Sequence, residues 1–289
     1  MINKILIVSM IAAISMFAQP AEITLMSNHQ IDSILTSVSA KNLTVTERMK
    51  FYSKLFLDMP YDLTCAGEGP YALYETEPLL NFDSTNCMVF CEHVLALSIS
   101  DSWDNFFNNL QQIRYKDGII GMRTRNHYTM ADWMPENKWL LDDVSAKVGE
   151  ELTERMTRKI SHKKFFEDKG ITDLRYVKED REPTIDYLPF TALKEKVNNL
   201  KSGDVLALLF AKLDNIFAAH MLMYFEEDGK GFIRESAMSK MSTFDTPIKE
   251  WIEKYINSKR YAGVAVMRVK TEINQPGKII LPWEIAGLR

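Results

Sequence analysis

The chain has 289 residues, 46% hydrophobic and 26% charged, with 12 Gly and 10 Pro, which excludes a disordered, collagen-like or low-complexity protein. A formal charge of -4, from 35 Lys+Arg against 39 Asp+Glu, argues against a nucleic-acid binder, because phosphate recognition needs a basic excess. Three cysteines are too few for a disulfide-stapled scaffold and leave at least one thiol unpaired within the chain.

Lys4 precedes an apolar run from Ile5 to Phe17 that ends at Ala18-Gln19-Pro20-Ala21. A charged start, a short apolar core and a small residue at the exit predict a secretory signal over residues 1–18, with a cut at 21 as the alternative. The run falls short of the roughly 18 residues that read as a bilayer span. The expectation is an exported protein, periplasmic or secreted, with no membrane attachment after cleavage. Residues 22–289 then read as one domain, opened by a helical layer over 22–58.

Within that layer, residues 29–58 carry Ile31, Ile34, Leu35, Val38, Met49, Tyr52, Leu55 and Phe56 at helical spacing, stopped by Met59-Pro60-Tyr61. Residues 62–86 are irregular and hold Gly67, Gly69, Pro70 and Pro78; a loop this long is usually functional. From Cys87 to Leu97 the sequence is apolar on nearly every face and predicts a buried helix. Ser102 caps a further helix to about Tyr115, and residues 117–145 read as loop. Residues 147–170 alternate Lys, Arg and Glu on a helical pattern and predict a solvated face. The second half turns to strands: 205–210, 219–224 and 231–236, the last two joined by an Asp228-Gly229 hairpin signal. A helix over 246–258, with Pro247 in its first turn, and a last strand over 263–269 complete an α+β layout.

Cys87 is the sharpest chemical candidate. A sulfur where a loop becomes a buried helix sits at the positive end of the helix dipole, which favours the thiolate. Its base would come from elsewhere in the chain, and His220 at the start of an apolar strand is the best candidate. The neighbouring hairpin strand offers Arg234 and Glu235 to orient the imidazole. A buried thiol is more often an inert small hydrophobe, and a lone histidine on an apolar strand more often a satisfied core residue. Arg125, His127, Tyr128, Asp132 and Trp133 would suit a site gripping a sugar ring or a peptide carboxylate, or else a polar surface loop with Trp133 tucked into the core. Cys87, Cys91 and His93 do not make a metal site, since their run is apolar and lacks a second pair of ligands. A Cys65–Cys91 disulfide stays open in an exported chain.

Met59-Pro60-Tyr61, Gly67-Glu68-Gly69-Pro70 and the run from Pro78 through Asn86-Cys87 to Glu92 resemble the nucleophile region of the DUF1460 family, a branch of the NlpC/P60 cysteine peptidases and amidases. Residues 113–118, Arg125-Asn126-His127-Tyr128, Asp132-Trp133, Ser202-Gly203-Asp204-Val205 and the strand over 263–269 extend the likeness from about residue 45 to 270. The resemblance implies a papain-like core. It also implies an amidase that cuts between N-acetylmuramic acid, often its anhydro form, and L-alanine in peptidoglycan fragments. Cys87 would be the nucleophile, His220 the general base and then acid, and Tyr61 an oxyanion partner beside the Cys87 N–H. No metal or cofactor is implied.

Three positions depart from the family pattern. Asn86 replaces the usual Asp before the nucleophile, Met221 follows His220 where a Gly is usual, and Arg234-Glu235-Ser236 stands for His-Ala-Ser. Of the first two of those three residues only Glu235 can accept from an imidazole N–H, so it is the favoured third residue. Two alternatives follow: the same machinery cutting the D-glutamyl–diamino acid bond, or an inactive domain that only binds muropeptides.

Overall fold

The computed structural model describes residues 22–175 and 177–289. The expected signal segment, 1–18 with its alternative cut at 21, lies outside them. Four helices dominate the first part: α1 (Asn28–Ser39), α2 (Val45–Lys54), α3 (Cys87–Ser98) and α4 (Trp103–Arg114). Eight strands follow among the described residues: β1 (Leu141–Asp143), β2 (Glu154–Thr157), β3 (Thr184–Pro189), β4 (Asp204–Phe210), β5 (Ala218–Glu227), β6 (Lys230–Ala237), β7 (Ser242–Pro247) and β8 (Tyr261–Val269). They form one antiparallel sheet in the order β2-β3-β8-β4-β5-β6-β7, with β1 also on β8. No helix among these residues is long and apolar enough to cross a membrane.

The central strands read as unbroken apolar runs because both their faces are covered. Val205, Ala207 and Leu209 of β4 belong to the core that also holds Leu35, Met49, Phe90 and Leu110 of the layer α1–α4. Leu206 and Leu208 point the other way, into a second core with Phe190, Leu193, Trp251 and Ile252. The two-residue period of a strand thus divides one run between two cores. Asp228 and Gly229 both take positive φ, 50° and 71°, matching the hairpin turn read from the sequence.

Two expectations are corrected. The helical layer over 29–58 is two helices. The break is set by Thr44, whose side chain accepts from the Glu47 N–H while the Glu47 side chain accepts from the Thr44 N–H. Residues 147–170 are not one solvated helix. They contain a short helix, a 3-10 turn, β2 and the helix His162–Asp168, and they bury Val148, Met156, Ile160, His162 and Phe166. Their charges are spaced by several short elements, so the helical period misled.

β3 meets β8 at Gly263, where an added Cβ would strike the carbonyl of Leu188 on the partner strand. Gly263→Ala is therefore expected to destabilise the fold by about 1–3 kcal/mol through displaced backbone. Thermal unfolding followed by circular dichroism checks this.

Candidate active site

Helix α3 begins at Cys87, and the residue before it explains why. Asn86 is extended, and its side-chain oxygen accepts from the N–H groups of Met88 and Val89 at 3.0 and 2.9 Å. Its amide nitrogen donates to the Leu63 carbonyl at 3.1 Å, a bond that an Asp could not make. The cap leaves the Cys87 N–H unclaimed. Thr85 anchors this start to the preceding chain: its N–H donates to the Pro60 carbonyl, and its carbonyl accepts from the Asp62 N–H. The Tyr61 N–H donates in turn to Met241, next to β7.

β5 and β6 pair from Met223↔Arg234 to Glu227↔Lys230, and His220 and Glu235 lie beyond the Met223↔Arg234 rung, at the end away from the hairpin turn. There His220 Nε2 donates to Glu235 Oε2 at 2.7 Å, with Glu235 buried. The imidazole and the Cys87 thiol line the same cavity, and each shifts the other's pKa. Cys87, from the first half of the chain, and the His220–Glu235 pair, from the second, therefore converge on one cavity. Arg234 faces elsewhere, with its guanidinium clamped on Asp245 at 2.7 Å and bonded to Ser53 on α2.

Burial alone would push the Cys87 thiol up. The hydrogen bond and charge of His220, aided by the N–H groups of Met221 and Met88, outweigh it and hold the pKa below the ordinary 9.0. His220 moves the opposite way: burial would lower it, yet Cys87 and Glu235 raise it above 6.5. Such a pair favours thiolate and imidazolium together near neutral pH. Tyr61 is raised by burial first and then by the Cys87 charge, so its hydroxyl keeps its proton and can donate.

A cavity of about 260 Å³ opens on this pair, walled by Cys87, His220, Glu75, Glu92, Arg125 and His127 among others. Arg125 lines this cavity, but it is not a free cation. Its guanidinium holds Glu75 at 2.8 Å and Glu68 at 3.1 Å. His127 donates from Nε2 to the Met122 carbonyl at 2.6 Å. Burial lowers its pKa to about 4, so it is neutral at pH 7. Tyr128 lines a neighbouring cavity that shares His127 with the first.

Asp132 and Trp133 require correction, since both are 0% exposed and cannot grip a ligand in this structure. Trp133 is packed in the main core. Asp132 accepts from His162 at 2.7 Å, Lys178 at 3.0 Å and Arg181 at 2.6 Å. Burial would raise its carboxyl, but His162 and then Lys178 hold it well below the usual range. The disulfide left open between Cys65 and Cys91 is absent; all three cysteines are free.

Sequence reasoning missed Glu68, Glu75 and Glu92. Glu92 is the one with a signal: a carboxylate inside an otherwise apolar helix needs a buried partner, and Arg114 supplies it at 2.8 Å.

The cysteines provide a direct check. At pH 6.5 iodoacetamide should label Cys87 alone, since burial raises Cys65 to about 11 and Cys91 well above 9.0. In His220→Gln the thiolate loses its cationic partner, so the midpoint of the rate–pH curve should rise by about 1–3 pH units. Peptide mapping by mass spectrometry reads both results.

The sequence model of the N-acetylmuramoyl-L-alanine amidase-like family matches residues 51–259. Among solved structures, a DUF1460-family protein from Legionella pneumophila superposes with a TM-score of 0.77 at 20% identity, over 91% of this chain and 99% of that one. An N-acetylmuramoyl-L-alanine amidase from Bacteroides uniformis superposes with a TM-score of 0.63 at 25% identity, over 78% of this chain and 99% of that one. No curated protein sequence matches the chain.

Proposed function

Because the chain belongs to the N-acetylmuramoyl-L-alanine amidase-like family, we propose that it is an exported cysteine amidase with a papain-like NlpC/P60 core. Its reaction is hydrolysis of the bond between N-acetylmuramic acid, in anhydro form, and L-alanine in peptidoglycan fragments. The observation that carries this reading is the convergence of Cys87, at the start of α3, and the His220–Glu235 pair on one cavity.

The Cys87 thiolate attacks the amide carbonyl carbon and forms a C–S bond. The resulting oxyanion takes hydrogen bonds from the Cys87 N–H, which the Asn86 cap leaves free, and from the Tyr61 hydroxyl. The His220 imidazolium then protonates the alanine nitrogen as the C–N bond breaks, releasing the peptide amine and leaving a thioester. A water gives its proton to the neutral imidazole and attacks the thioester. Collapse of that second tetrahedral species breaks the C–S bond, restores the thiolate–imidazolium pair and releases the muramic acid, whose carboxyl proton passes to solvent. Glu235 keeps the imidazole oriented throughout by holding Nε2–H, so the other ring nitrogen serves the reaction.

The departure at the third position is chemically sufficient, since a carboxylate accepts the same N–H that an imidazole would accept. This favours an active enzyme over a domain that only binds.

Mass spectrometry of anhydro-muropeptides incubated with the protein tests the reading. Release of free sugar and intact peptide is expected, with none from Cys87→Ala. Glu235→Gln, which keeps the shape but loses the charge, should lower kcat by about 100-fold or more. Cleavage within the peptide would move the bond to the D-glutamyl linkage, and binding without cleavage would sink the enzyme reading.

A further inference from the structure

A second, roomier cavity lies outside the catalytic one. It measures about 770 Å³ and is formed by the irregular loop after Cys65 and by residues 119–124. Its walls present Tyr71, Tyr74, Ile119 and Ile120, all exposed, with Tyr71 at 98%. Large apolar groups held open to solvent in one patch mark a binding surface.

Two polar groups of the lining are left unpartnered in burial. The Glu68 side chain is only 4% exposed; its Oε1 accepts from Arg125, but its Oε2 has no partner. Arg123 bonds Asp173 through its terminal nitrogen, while its buried Nε has no acceptor. One group wants a donor and the other an acceptor. A cation would meet Arg123 and an anion would meet Glu68, whereas hydroxyl groups serve both. A lipid chain would satisfy neither. Neutral hydroxyls combined with apolar C–H faces that lie on tyrosine rings describe a pyranose ring.

An ion-pair bridge links the cavity to the catalytic site. Arg125 bridges Glu68 on this side to Glu75 on the other, and Glu75 and Arg125 wall the catalytic cavity. At about 260 Å³ that cavity falls below the ~300–1,000 Å³ of ordinary ligand sites, so a substrate carrying both sugar and peptide extends past it.

We propose that the tyrosine-lined cavity is a saccharide subsite that holds a pyranose ring of the substrate's glycan part. The identity of that glycan rests on the amidase reading; saccharide binding itself does not need Cys87.

N,N′-diacetylchitobiose, a neutral disaccharide of N-acetylglucosamine, is the probe, titrated into Cys87→Ala protein and followed by backbone amide shifts. Saturable shifts centred on residues 69–74 and 119–124 are expected. Tyr71→Ala combined with Tyr74→Ala should weaken the affinity by about fivefold or more, with Tm unchanged because both rings are exposed. No saturable binding, shifts confined elsewhere, or an unchanged affinity in the double variant overturns the proposal. Preferential uptake of a medium-chain fatty acid at the same residues overturns it too. Failure of the wild type to cleave muropeptides, with chitobiose still bound here, refutes the amidase reading and leaves the subsite standing. Cleavage without saccharide binding refutes the subsite alone.

Discussion

The cap that Asn86 places on α3 is the contact on which the rest of the site depends. Two of the first helical N–H groups are taken by its oxygen, and its amide nitrogen fastens the loop at Leu63. That division fixes where the helix starts, puts Cys87 at its positive end and keeps the Cys87 N–H available. Thr85 and Pro60 then tie the same point to the segment that carries Tyr61. A shift of the helix start by one residue would rotate the sulfur away from His220 by about 100°, since the helix turns once in ~3.6 residues.

Around this point the protein arranges its charges in buried and half-buried sets. Arg114 pairs with Glu92, Arg125 with Glu68 and Glu75, and Asp132 with His162, Lys178 and Arg181. Each set joins segments distant in sequence, so the irregular loop over 62–86 and the region over 117–145 are positioned by buried or half-buried ion pairs as well as by apolar packing. Breaking one partner of such a set leaves a charge without compensation, which is why these residues hold geometry so firmly. The cost is that Arg125 offers little free charge to a ligand.

The sheet contributes rigidity of another kind. With apolar layers on both faces, β4, β5 and β8 cannot slide, because a one-residue slip would exchange the two cores' side chains. His220 on β5 is held opposite Leu208 and Glu235 on β6 opposite Phe244, just beyond the rungs that join β5 to β6. Their approach to 2.7 Å is therefore set by strand geometry and not by a mobile loop.

Much of this was legible in the residues. The buried helix from Cys87, the cap at Ser102, the hairpin at Asp228-Gly229 and the α+β order all follow from local rules of spacing and turn chemistry. Cys87 and His220 were visible as single residues with suggestive surroundings, and Glu235 as the only nearby acceptor. The Thr44 capping box was written in the sequence yet lost beneath a continuous apolar period. What local pattern could not decide was whether polar residues face a ligand or each other. Asp132 and Trp133 read as binding groups but are sealed in, because three partners reach Asp132 from residues 162–181 and the core encloses Trp133. Glu68 and Glu75 gave no signal, since their meaning lies in Arg125, some fifty residues away. The sequence by itself determined the local elements and the types of reactive group; only the tertiary structure decided which groups meet, because burial and charge pairing are properties of distant segments brought into contact.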